Sequence, residues 1–322
     1  MTRAKEELLK PARNALVQCM GLVEGELVLV VTNHEKQSIA DAIFQVAKEL
    51  GADPSILLYP AGKINGEEPP KMVAEAMKVA DLVLAPTVVS ISHTDARRAA
   101  SGNGHTRIAT LPGITEEIFI RGLSANYKEI AETCERIRAV LEAGKIAMVT
   151  TPSGTDLEID IDNTAVASDG NISEPGAFSN LPDGESELAP RSIDGLLVVD
   201  RCGDIITEPT RVVFRGGYVV EIEDNASGKR FRDVIEQTKA VDGNNNAEFA
   251  AEFAIGTNPT AKVTGVILED EKVLGTCHIA VGDNTSYPGG ENPSTLHLDV
   301  ILFKPTITID GKVIQQDGKL LV

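Results

Sequence analysis

The first 150 residues alternate apolar, β-branched runs with amphipathic stretches, and this alternation leaves few folds open. Leu27-Val28-Leu29-Val30-Val31 is a continuous run of the kind that makes a strand buried on both faces. From Ser38 to Leu50, residues Ile39, Ile43, Phe44, Ala47 and Leu50 fall on one helical stripe, which Gly51 closes. Ile56-Leu57-Leu58-Tyr59 precedes a predicted helix over 70–79, Leu82-Val83-Leu84-Ala85 precedes another over 92–100, and Ile108-Ala109-Thr110 follows. A helix over 127–143, ending at Gly144, and a strand at Ile146-Ala147-Met148-Val149 lead to Thr151-Pro152-Ser153-Gly154, where the pattern breaks. Strand-helix alternation of this kind predicts an open parallel sheet with flanking helices.

The second half reads differently. Leu196-Leu197-Val198-Val199, Arg211-Val212-Val213-Phe214, Tyr218-Val219-Val220-Glu221-Ile222, the run from His297 to Leu302, and Thr306-Ile307-Thr308-Ile309 are short β-prone segments. Asp194-Gly195, Gly216-Gly217 and Asp310-Gly311 supply turn signals between them. One helix is predicted, over 229–239. The expectation is therefore an α/β domain at 1–150 and a β-rich domain at 151–322, the latter carrying the chemistry.

Charge sharpens the contrast. Residues 1–150 hold 19 acidic and 17 basic side chains, whereas residues 151–322 hold 29 acidic and 13 basic, so nearly all of the net −18 lies in the second half. A field of that sign repels phosphate backbones, which argues against nucleic acid as a partner. It fits either a solvated acidic surface or a cleft that concentrates cations. No apolar run approaches the roughly 18 residues of a membrane span, and Met1-Thr2-Arg3-Ala4-Lys5-Glu6-Glu7 lacks a signal-peptide apolar core, so a cytoplasmic protein without membrane contact is expected. Cys19, Cys134, Cys202 and Cys277 form no C-x-x-C pair and read as free thiols.

Several chemistries are disfavoured by what is missing. The turn after the first strand, Thr32-Asn33-His34-Glu35-Lys36, has no glycine, so the dinucleotide fingerprint is absent where it would have to stand. There is no phosphate loop, no H-E-x-x-H and no G-x-S-x-G. His34, His93 and His105 read as surface or capping residues. The remaining two histidines stand in a more telling context. His297 and Asp299 are two apart on a predicted strand and so share a face, and His278 lies nineteen residues upstream. Acids that could complete a metal site lie at Glu185 and Glu187, in an expected loop, and at Glu248 and Glu252. Glu252 sits among Ala, Phe and Ile, where an unpaired carboxylate would be costly to bury. An exposed helix end is the other way to read it.

These motifs resemble a known family. Asn180-x-Pro182-x-x-Glu185 through Ala189-Pro190, Glu252 before a small apolar stretch, Cys277-His278-Ile279-Ala280-x-Gly282, and Ser294-x-x-His297-x-Asp299 occur in the order seen in the aminopeptidase T and aminopeptidase S metallopeptidases. The resemblance implies a homodimer with a dinuclear site whose ligands match Glu185, Glu252, His278, His297 and Asp299. Two divalent ions such as Zn²⁺, Co²⁺ or Mn²⁺ suit those donors, and amide or peptide hydrolysis by activated water is the implied reaction. Metal affinity would fall as pH drops toward the free histidine pKa of about 6.5.

The chain departs from that family at two positions, with Val273 where a catalytic glutamate and Thr285 where a tyrosine would stand. Glu271 as general base and Tyr287 as donor to an oxyanion are the nearest substitutes, although Leu268-Glu269-Asp270-Glu271-Lys272 also reads as a solvated turn. A second branch of the superfamily, the 2,5-dihydroxypyridine 5,6-dioxygenases, is similar in layout and in Gly289-Gly290 leading to His297-Leu298-Asp299. That branch implies one Fe(II), with a histidine where this chain has Glu252 and no match to His278. Glu252 and His278 therefore favour the hydrolase. A binding module without catalysis is the third possibility, with a small molecule or a peptide as the partner in each case.

Overall fold

The structure is a computed structural model that describes residues 5–322. The chain forms two compact units, one built from the residues up to Glu129 with Asp169–Asp183, the other from Ile130–Ser168 with Gly184–Val322. The division is thus not a single cut at 150. Strand Ile146–Thr150, which continues the first-half pattern in sequence, pairs antiparallel with Asp156–Asp160 and Thr306–Ile309 inside the second unit.

In the first unit, five strands lie in the order Asp53–Leu58, Leu27–Thr32, Leu82–Thr87, Arg107–Pro112, Phe178–Asn180, and every neighbouring pair is parallel. The apolar runs make these strands because both faces are covered. Leu29, Val31, Val83 and Ala85 pack with Val73 and Met77 of helix Lys71–Met77 and with Ala100 of helix Asp95–Ser101. Helix Gln37–Glu49 buries Ile39, Ile43, Val46 and Ala47, the stripe seen in sequence. At the point where the strand order reverses, the buried side chain of Asn33 donates to the Tyr59 carbonyl (3.0 Å) and accepts from the Val88 amide (2.8 Å). A side-chain strut spans this point, where nucleotide-binding folds place a glycine-rich turn.

The second unit is a sandwich of two antiparallel sheets. Eight strands form one, and the other has the order His297–Phe303, Thr276–Gly282, Ala250–Gly256, Glu185–Leu188, Val166–Ser168. Between them lies a core to which Leu157, Ile159, Leu197, Val212 and Phe214 contribute from the larger sheet and Leu188, Phe253, Ile255, Ile279 and Val300 from the smaller. Each such side chain contributes about 1.5–3 kcal/mol by leaving water. Helix Ala226–Asp242 adds Phe231 and Ile235, starts at an Asn225 side-chain cap on the Gly228 amide, and stops at Gly243 in the left-handed conformation. Among the described residues, no helix is long and apolar enough to cross a membrane.

Candidate metal centre

The register of the five-stranded sheet brings the candidate ligands together. Directly opposed residues of antiparallel strands point to one face, and alternate residues along each strand return to it. Glu252 opposes Ala280, which opposes Asp299; Ala254 opposes His278 on one side and Glu187 on the other; Gly256 opposes Glu185; Gly282 opposes His297. One face therefore carries Glu185, Glu187, Glu252, His278, His297 and Asp299, separated only by Ala and Gly. The opposite face supplies the apolar side chains of the core. Small residues between the charged ones keep the polar face open.

All six groups are buried or nearly so, and the atoms converge. Glu185, Glu252 and His278 can each offer one donor atom with all separations within 4.8 Å, and so can Glu252, His297 and Asp299. Glu252 belongs to both groups. Its Oε1 lies 3.1 Å from His278 Nε2 and its Oε2 lies 3.0 Å from His297 Nε2. His297 Nδ1 donates to the Asp283 carbonyl at 2.7 Å, which fixes the tautomer and leaves Nε2 for the centre. Glu185 Oε2 and Asp299 Oδ1 are buried without a close hydrogen-bond donor: His278 Nε2 lies 3.7 Å from the first, and His297 Nε2 and His278 Nε2 lie 3.5 and 3.9 Å from the second. Orphaned acceptors aimed at a shared point, with imidazole nitrogens beside them, are a donor set that fits divalent cations.

Three further residues, Tyr287, Glu271 and Lys272, join the cluster. The Tyr287 hydroxyl donates to Glu252 Oε2 at 2.7 Å, with Glu187 Oε2 at 3.3 Å, and its ring stacks on His297 with centroids 6.0 Å apart. Glu271 and Lys272 arrive from the turn after the short helix Ile267–Asp270. Lys272 Nζ is paired with Glu185 Oε1 and lies 3.0 Å from Glu271 Oε1. This run is buried from Leu268 through Lys272, which corrects the solvated-turn reading. It is buried because its acids are satisfied: Glu269 accepts from the Lys262 amide, and Asp270 from those of Thr264 and Gly265. Glu185 and Glu187 likewise lie in a fully buried strand and not in a loop.

Burial and proximity displace the acidities. His278 is held up at about 9: burial opposes the charged form, but the hydrogen bond and charge of Glu252 outweigh it. His297 is raised well above the ordinary imidazole value, again against burial, by Asp299 and Glu252. Glu252 stays well below the carboxylate range, because the two imidazoles overcome its burial. Burial pushes Glu185 up, with Lys272 opposing. Glu271 rises to about 7, driven by burial and Asp299 against the pull of Lys272.

Glu248 belongs to neither of the two donor groups and pairs with Lys239 at 2.7 Å. His34, His93 and His105 are exposed, and His105 sits 2.6 Å from Asp81. Lys272 and the spacer residues Ala254, Ala280 and Gly282 escaped sequence reasoning. The spacers could have been found, because Glu252-x-Ala254-x-Gly256 and His278-x-Ala280-x-Gly282 alternate charged with small on the same face. Ala280→Leu is expected to fill the gap between Glu252 and Asp299. The protein should stay folded, destabilised by about 1–3 kcal/mol, and lose metal uptake in equilibrium dialysis; unchanged uptake would show that the gap is not the metal position.

The family model for NicX, 2,5-dihydroxypyridine 5,6-dioxygenase, matches residues 7–322. The chain belongs to the NicX family. Among solved structures, a 2,5-dihydroxypyridine dioxygenase from Pseudomonas putida is 18% identical with a TM-score of 0.79, the alignment covering 98% of this chain and 97% of that one. Wild-type AmpT from Thermus thermophilus is also 18% identical, with a TM-score of 0.71 and coverage of 98% and 99%. No curated protein sequence matches. NicX therefore replaces the aminopeptidase T and S group as the chain's own family, and likeness to AmpT holds at the level of the fold.

Proposed function

We propose that this NicX-family protein is a metal-dependent hydrolase of amide or peptide bonds that uses two divalent ions, with Glu185, Glu252, His278, His297 and Asp299 as ligands and Glu252 shared. The observation that carries this reading is that the two imidazoles fall in separate triads on opposite oxygens of Glu252, each triad otherwise made of carboxylates. Charge supports it. Five buried carboxylates, Glu185, Glu187, Glu252, Glu271 and Asp299, gather with one buried ammonium, Lys272, so with every carboxylate ionised and both imidazoles neutral, as metal ligation requires, the cluster would carry an excess of four negative charges for two divalent ions to neutralise. Ions held there would supply Lewis acidity and lower the pKa of a water molecule.

The chain's own groups divide the remaining work. Glu271, a buried carboxyl raised to about 7 in the metal-free chain, is the group that would take a proton from water and return it to a leaving amine. It stands in for the acid missing at Val273. The Tyr287 hydroxyl, kept neutral because burial and the neighbouring carboxylates raise its pKa, donates its one proton to Glu252 here and is the group that would turn that bond to a developing oxyanion. Glu271→Gln should lower turnover by roughly 10²–10⁴-fold while metal content stays at the wild-type level. Turnover within a factor of a few of wild type would remove Glu271 from the chemistry.

A second reading has its own support. The match of the NicX model over nearly the whole chain favours ring cleavage of a dihydroxypyridine-like substrate with one Fe(II). Against it, neither triad supplies the two-histidine, one-carboxylate set typical of non-haem Fe(II) oxygenases. Parallel assays with aminoacyl amides and, under oxygen, with dihydroxypyridines separate the two. Amide hydrolysis supports the first reading, and oxygen-dependent loss of the pyridine absorbance supports the second.

A further inference from the structure

Tyr287 reaches the centre from a segment without regular structure. It lies between strands Thr276–Gly282 and His297–Phe303, and its neighbours Thr285, Ser286, Pro288 and Gly289 are exposed, yet its hydroxyl ends 2.7 Å from Glu252 Oε2. Loops of this kind are ordinarily the mobile part of a fold. A group that works at a reacting centre has to be held within about 0.5 Å. At the base of the loop stands a pair of asparagines. The buried Asn284 donates its backbone N–H to the Asn292 carbonyl (3.1 Å), and its side-chain Oδ1 accepts from the Asn292 N–H (2.8 Å). The Asn292 side-chain amide donates to the carbonyls of Gly282 (2.6 Å) and Asn246 (2.9 Å). The pair is thereby tied to the end of strand Thr276–Gly282 and to the short helical turn ahead of strand Ala250–Gly256, the two strands that carry His278 and Glu252.

The clamp continues directly into the tyrosine. The Asn284 carbonyl accepts from the Tyr287 N–H (3.0 Å), and the Tyr287 carbonyl accepts from the Gly290 N–H (3.0 Å), so the backbone on both sides of the ring is bonded. Gly290 packs so closely that a Cβ there would run into the Asn284 carbonyl, which makes the glycine part of the same arrangement. We infer that Asn284 and Asn292 are positioning residues whose clamp sets the Tyr287 hydroxyl on Glu252. The inference rests on the reading above in one respect, that Tyr287 serves as a donor at the centre. It adds the device that turns an exposed loop into a fixed donor.

The chain has four tyrosines and no tryptophan, so nuclear magnetic resonance of the metal-free full chain carrying ring-¹³C tyrosine reads Tyr287 against Tyr59, Tyr127 and Tyr218. Tyr287→Phe assigns the signal. Asn284→Ala should move it while the other three stay in place, and Asn284→Asp, which keeps an acceptor for the Asn292 N–H, should restore the wild-type position. Gly290→Ala presses on the same carbonyl without removing a hydrogen-bonding group and should move the Tyr287 signal too, so it decides the matter if Asn284→Ala does not fold. A Tyr287 signal that stays put in the folded variants would overturn the inference, because other contacts would then hold the ring. Turnover separates this from the catalytic reading. Asn284→Ala should lose roughly 10²–10³-fold in kcat, as much as Tyr287→Phe, with metal content unchanged and Asn284→Asp near wild type. Full turnover in Tyr287→Phe would remove the oxyanion role of Tyr287 and leave its positioning, read in the metal-free chain, standing.

Discussion

Glu252→Ala is expected to abolish binding of both ions, with affinity at each position reduced at least roughly 100-fold. This carboxylate is the one donor common to the two triads, and it alone is bonded by His278, His297 and Tyr287 together. Its loss removes the nearest acceptor of His278, at about 1–3 kcal/mol for an unsatisfied buried group, and leaves Tyr287 with Glu187 and His297 with Asp299 as their remaining partners. The second unit should therefore melt earlier. The first unit has its own sheet and apolar core and should keep its fold. Metal analysis of the purified variant, with circular dichroism as the check on folding, measures this. Retention of one ion at wild-type affinity would show that Glu252 does not bridge.

The second large effect is on pH. In the metal-free protein both histidines carry raised pKa values, His278 at about 9 because Glu252 outweighs burial, and His297 well above 6.5 because Asp299 and Glu252 do the same. At pH 7 the metal-free form is therefore protonated at both imidazoles, whereas a metal ligand must be neutral. Each ion that binds displaces a histidine proton, so affinity falls as pH falls. The decline is already under way below about pH 9, instead of beginning near 6.5 as for a free histidine. Each displaced proton changes affinity by about tenfold per pH unit. Calorimetry in buffers of different ionisation enthalpy should count about two protons released on full loading at pH 7. Affinity that stays flat from pH 9 to pH 6, with no proton release, would contradict histidine ligation.

How much of this was legible beforehand follows from where the signals are strong. The parallel sheet of the first unit was readable because its strands are buried on both faces and so appear as unbroken apolar runs, as in Leu27–Thr32. The strand that carries Glu252 was not readable. Ala250-Ala-Glu-Phe-Ala-Ile-Gly256 has few β-branched residues and a charge in the middle, and only pairing with Thr276–Gly282 and Glu185–Leu188 makes it a strand. Glu185–Leu188 follows Pro182-Asp183-Gly184, which mimics a loop. The five candidate ligands were nonetheless named in order: His297-x-Asp299 from same-face alternation on a strand, and Glu185, Glu252 and His278 from the order of motifs in a resembling family. Lys272 was not, since a lysine after three acids looks like solvent-exposed charge until its surroundings are known. The family, too, was only half legible: the motifs pointed first to aminopeptidases T and S, and it took a match over residues 7–322 to assign NicX.

The central claim is a two-ion centre organised around Glu252, and metal counting tests it most directly. Protein purified without chelators, or metal-free protein reloaded with excess Zn²⁺, Mn²⁺ or Co²⁺ and freed of unbound ion, should contain about two ions per chain. The count should fall to none in Glu252→Ala and to about one in His297→Ala. A single iron per chain at saturation, unchanged by loss of Glu185 or His278, would contradict the account.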